Sequence, residues 1–125
     1  MKRMIISALT AGFALSPAII SAQPYMVHGE GNVSCGTWTE DRHLAQQYWL
    51  PNSAWVLGYI TAYNQFALKK SSDIAQGTDS DGITAWMDNY CAGNPLSTVA
   101  DGAARLIFVL QVKASGGTLQ NEYGP

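Results

Sequence analysis

Thiol and imidazole side chains, the groups best suited to thiolate, near-neutral acid–base or soft-metal chemistry, occur at four positions: Cys35, Cys91, His28 and His43. A catalytic thiolate needs a positioned base. The two histidines lie fifteen positions apart, with no metal-ligand spacing between them. Both read as surface residues, and Lys2-Arg3 followed by an uncharged apolar run to Ile20 reads as an export signal, so the two cysteines read as one structural disulfide. One acidic segment, Asp79-Ser80-Asp81-Gly82, can be tested as a calcium loop. Aligned on Gly82, it offers Asp79, Asp81 and, at the twelfth position, Asp88, but the first position is Gly77, which has no ligand atom. Helix capping accounts for the same aspartates without a metal. There is no serine elbow, phosphate-cradling glycine loop or zinc pattern. No catalytic residue, cofactor or metal site is expected.

The tryptophans are the other functional candidates. Trp38, Trp55 and Trp86 fall on apolar stripes and read as core. Trp49, beside Tyr48 and Leu50 at the end of an expected helix, reads as part of an exposed apolar partner surface.

These residues have to be positioned by helices. Ser34 or Thr37 can cap the first, with Thr37-x-x-Glu40 forming a capping box. Trp38, Leu44, Ala45 and Tyr48 form its inner face, and Pro51-Asn52 breaks it. The second runs from near Ser53 to Lys69 on a stripe of Trp55, Tyr59, Ala62, Phe66 and Lys69, widened by Leu57, Gly58 and Ile60. Gly58 suggests a closely approaching neighbour, and Lys69-Lys70 complements the negative end of the helix. Residues 70–78 form a loop. The third helix starts at Asp79 or Asp81, carries Ile83, Trp86, Met87, Tyr90 and Cys91 inward, and ends at Gly93-Asn94-Pro95. Ser97 caps the fourth, which buries Val99, Leu106, Ile107 and Leu110 and ends near Lys113. No stretch sustains strand alternation. The expected fold is an all-α, four-helix domain, with Cys35–Cys91 tying helix 1 to the end of helix 3.

Composition bounds the rest. The chain has 125 residues, one domain's worth, with 13% charged residues and a net charge of −2. That gives no electrostatic footprint for nucleic acid. Lys2-Arg3, an uncharged apolar run from Met4 to Ile20, and a small-residue exit at Ser21-Ala22 make residues 1–22 a signal peptide. No membrane association is expected after its removal. The mature chain keeps five Lys/Arg against nine acids, a net charge of −4. Residues 23–33 then read as an extended lead-in, 34–113 as the helical domain and 114–125 as a flexible, glycine-rich tail.

The frame Ser34-Cys35-x-x-Trp38, Ala54-Trp55-Val56-Leu57-Gly58-Tyr59-Ile60 and Asn89-Tyr90-Cys91-x-x-Asn94-Pro95 resembles the HdeA/HdeB family of small periplasmic helical proteins. The resemblance covers roughly residues 34–107. It implies a periplasmic chaperone that exposes apolar surface in acid and holds unfolded clients. HdeA-like chaperones are rich in Lys, whereas this mature chain has five Lys/Arg and two His. Protonating its acids would still carry the charge from −4 to about +7. The layout is also similar to periplasmic immunity proteins that neutralise type VI secretion amidases, which usually carry further cysteines. The expectation is a non-enzymatic periplasmic protein of a Gram-negative bacterium. Its partner would be a client polypeptide or a toxin, with a homodimer left open. An uncharacterised small enzyme ranks third.

Overall fold

The computed structural model describes residues 25–68 and 72–117. The segment assigned as a signal peptide lies outside them, as do Lys69, Lys70 and the tail beyond Gly117. Among the described residues there are four α-helices and no strand: α1 (Cys35–Asp41), α2 (Gln46–Phe66), α3 (Ser80–Gly93) and α4 (Val99–Ala114). The all-α class and the bridge are as expected, since Cys35 opens α1 and joins Cys91 near the end of α3, Cα to Cα 4.6 Å.

The lead-in is not wholly extended. Gly29–Asn32 form a 3₁₀ turn packed against α2 and α4. The Trp55 indole donates to the His28 carbonyl at 2.8 Å. Gly31 is buried there because a Cβ would collide with the Trp55 ring and with Val27.

Helix α1 is capped by Ser34, whose hydroxyl accepts from the Thr37 amide at 3.1 Å, so Thr37 lies inside the helix and its expected capping box does not form. The helix also stops early, at Asp41 instead of Tyr48. A turn over 42–45 sends the chain back, and the buried Asn52 of α2 donates to the Asp41 carboxylate at 3.0 Å. Leu44 and Ala45, expected inside, are exposed in that turn, and Tyr48 is exposed in the next helix. Their spacing fits a helical period, but the partner that ends α1 is eleven residues away, where periodicity does not reach.

Pro51 does not break the chain. It is the sixth residue of the 21-residue α2. The missing N–H would have served the Gln47 carbonyl in the exposed first turn, so the helix loses one peripheral bond. The inward stripe of α2 is Asn52, Ser53, Val56 and Ile60. Trp55 and Tyr59 are half-buried, while Ala62 and Phe66 are exposed. Gly58 is exposed with nothing within 4 Å of its Cβ position, so no neighbour approaches it. The close approach falls at Gly102 of α4, where a Cβ would stand 2.6 Å from the Met87 Cε of α3.

Helix α3 begins as expected, with Asp79 Oδ1 accepting from the Gly82 amide at 2.8 Å. It ends at Gly93, where the Asn94 side chain donates to the Tyr90 carbonyl at 2.8 Å. For α4 the cap is Thr98, not Ser97, in a reciprocal capping box with Asp101. The Ser97 carbonyl instead accepts from the Cys35 amide at 2.8 Å, and the Val33 carbonyl from Val99 at 2.9 Å. These bonds fasten the start of α1 to the start of α4. The core between the helices holds Trp38, Val56, Met87, Cys91, Val99, Ala103 and Leu106, all 2% exposed or less.

Candidate functional site

The candidate site forms where α1 turns into α2 beside the middle of α3. Trp38 is 1% exposed, and its indole N–H donates to Asp88 Oδ1 at 2.8 Å. One turn later, Arg42 donates to the same carboxylate, from Nε to Oδ1 at 2.9 Å and from Nη2 to Oδ2 at 3.1 Å. The Arg42 guanidinium also lies over the Trp49 ring, 4.5 Å from its centroid. One chain of contacts therefore runs from α3 through α1 to the first turns of α2. Charge-assisted, fork-on-carboxylate bonds fix orientation as well as distance.

Thr39, Arg42, His43 and Asp88 line an open depression of about 320 Å³ beside this chain. The Thr39 hydroxyl donates to the Cys35 carbonyl at 3.0 Å, and the Asp88 carboxylate is taken up by Arg42 and Trp38. Both cysteines are in the disulfide, so neither is available as a thiolate. His43 lies at the rim and His28 is far along the lead-in, both exposed.

The aspartates tested above against a calcium loop do not converge. Asp79 caps α3, while Asp88 pairs with Arg42 more than two turns further on. Among the described residues no group of three or more His, Cys, Asp or Glu could hold a metal ion.

Tyr48, Trp49 and Leu50 all fall in the first turns of α2. Tyr48 and Leu50 are 52% and 48% exposed, and Trp49 is half-buried under Arg42. Residues two apart on a helix do not share a face, so Tyr48 and Leu50 flank opposite sides of α2. Leu44, in the preceding turn and 49% exposed, adds to the apolar surface at this end. Sequence reasoning missed the Arg42–Asp88 pair. Arg42 stands four residues after Trp38, a visible helical spacing, but Asp88 is 46 positions away and no local signal links it.

Further along α2, Tyr59 stacks on Trp55 with ring centroids 5.4 Å apart. Burial pushes its phenol above the ordinary value, and the Tyr25 phenol adds to the effect. Comparison with protein-family models, curated proteins and solved structures finds no match to this chain.

Proposed function

We propose that the chain is a small, exported, non-enzymatic protein that binds another polypeptide through the apolar end of α2, around Leu44, Tyr48 and Trp49. One observation carries this reading: Leu44 and Tyr48 stay about half-exposed while Trp49, next to Tyr48 in the chain, is clamped by Arg42, itself fixed on Asp88. Apolar surface on a braced frame suits a folded partner, because little ordering is left to be done on binding. The leader at residues 1–22 and the disulfide support an oxidising compartment, the periplasm. The partner class is then a secreted hydrolase such as a cell-wall amidase, and the role that of an immunity or inhibitor protein. The reading expects a secreted amidase to be encoded beside this gene, and titration calorimetry against that amidase at neutral pH tests it. Tight binding is expected, weakened at least tenfold by Leu44→Ser with Tyr48→Ser (about 1.4 kcal/mol). No binding, or binding unchanged by the double substitution, overturns it.

A second reading follows from Asp88. One carboxylate accepts from both Trp38 and Arg42, so the brace between α1 and α3 rests on a single side chain. Loss of the brace would free α1 and expose apolar surface to unfolded clients, in the manner implied by the HdeA/HdeB resemblance. Suppression of client aggregation at about pH 2–3 is the expected result. Its absence at stoichiometric excess removes this reading and leaves the first untouched.

A further inference from the structure

One flank of α2 is aromatic, and the chain's own lead-in lies on half of it. Trp55, Tyr59, Ala62 and Phe66 follow one another at spacings of three and four, so they share one side of the helix. Trp55 and Tyr59 stack on each other and are half-buried, while Phe66, at the far end, is 81% exposed. What covers the Trp55 end is extended chain. The Trp55 indole donates to the main-chain carbonyl of His28, where the backbone is extended (φ −116°, ψ 151°) and the imidazole is exposed. That bond reads no side chain. From there the lead-in runs back along the helix, its Tyr25 phenol bearing on that of Tyr59.

The lead-in is lightly held. Tyr25 and Met26 are 67% and 80% exposed, and among the described residues the Trp55 bond is its one hydrogen bond to α2. Asn32 closes the 3₁₀ turn on the Val27 carbonyl at 2.7 Å, and the Val33 carbonyl fixes the following residue pair to Val99. Few fastenings before a firm one make a segment that opens locally.

We infer that this flank of α2 binds extended, unfolded polypeptide, and that residues 25–32 are a strap occupying its Trp55–Tyr59 half. The strap itself shows how such a chain is taken: a main-chain carbonyl on the indole N–H, with aromatic rings beneath. An unfolded chain offers the same carbonyl whatever its sequence. From Tyr59 to Phe66 the helix rises about 10 Å, a span that an extended chain covers in about three residues. A client lying the length of the flank therefore gains Phe66, which the strap leaves exposed. With no Asp, Glu, Lys or Arg in α2, apolar client segments meet no charge that has to be desolvated. This rests on the client-holding reading above for its partner class, but needs no acid.

Fluorescence anisotropy at neutral pH, with labelled, reduced and carboxymethylated lactalbumin as a permanently unfolded probe, tests it. Gly31→Val is expected to drive the strap off, because a Cβ at Gly31 already collides with the Trp55 ring. Binding at least tenfold tighter than wild type is expected. Adding Phe66→Ser, at an exposed position, should abolish most of that gain, and excess synthetic peptide of residues 25–32 should compete. Asn32→Ala, which loosens the turn without a collision, should give a smaller gain in the same direction. It decides the matter if circular dichroism shows that Gly31→Val has lost helix. No gain in the folded released variants overturns the inference, as does a gain that Phe66→Ser leaves intact. Client protection at about pH 2–3 with no gain at neutral pH overturns the strap and leaves the acid reading standing.

Discussion

At Asp88 a single carboxylate takes the Trp38 indole proton and two guanidinium protons, and the two kinds of bond differ in worth. The ion pair is part-exposed, 29% and 35% for its two side chains, so its own contribution is at most about 1 kcal/mol. The indole bond matters more, because Trp38 is buried and an unanswered N–H there costs about 1–3 kcal/mol. Asp88→Ala is therefore expected to lower stability in urea by about 1–3 kcal/mol. Asp88→Asn keeps a carbonyl for the indole and should lose less. Equal losses would assign the effect to the ion pair instead. Nothing local in the sequence signals this bond, since its partners are 50 positions apart. The cap at Asp79 was legible because its partner is three residues away. Tyr59 gives a second test at this scale. Burial, with Tyr25, favours the neutral phenol in the folded chain. The associated stability is fully present below the unfolded value of 10.0 and is lost as pH rises through the higher folded value. Alkaline titration of tyrosine absorbance should show a late-ionising phenol that Tyr59→Phe removes.

Among the elements, α2 shows what sequence patterning reaches. That a helix lies between residues 53 and 66 follows from its apolar spacing, but its phase does not. With no charged residue, α2 has no polar face to oppose an apolar one, and the stripe 55–59–62–66 looks as good as the one the core takes up. Its start was obscured by Pro51, a breaker in a helix interior but tolerated this close to the first turn. The same placement makes a prediction. Pro51→Ala restores a donor for the Gln47 carbonyl and relieves a ring that crowds it, while giving the unfolded chain about 0.4–1 kcal/mol of extra entropy. An interior proline costs about 3 kcal/mol, so the substitution is expected to raise stability by about 1–2 kcal/mol, read as a higher melting temperature. A lower melting temperature would mean that the helix start is held by proline's rigidity. Where α3 meets α4, Gly102→Ala drives a methyl against Met87 and Tyr90, both packed in place. A loss of about 1–3 kcal/mol is expected in the same measurement.

For the whole molecule, the question is what keeps α1 attached. Seven residues make too short a helix to persist alone, because isolated helices below about 12–15 residues are marginal in water. Three fastenings hold it: the Cys35–Cys91 bridge, the two backbone bonds to residues 95 and 97, and the Trp38–Asp88 contact. The bridge spans 56 positions, and closing a loop of that size removes about 4 kcal/mol of entropy from the unfolded chain. Against the usual 5–15 kcal/mol of a small domain, that is a large share. Cys35→Ala with Cys91→Ala should therefore lower stability by about 2–5 kcal/mol. Where the loss appears distinguishes two accounts. If the bridge acts only on the unfolded chain, amide exchange speeds up equally in all four helices. If it also anchors α1, amides at 38–42 lose protection first, while those of α2, α3 and α4 still open together. The second outcome is expected, because α1 gives the core only Cys35 and Trp38, whereas α2, α3 and α4 supply most of it, Val56, Met87, Ala103 and Leu106 among them. Uniform loss of protection would mean that Trp38, buried among those residues, makes α1 part of a single cooperative unit.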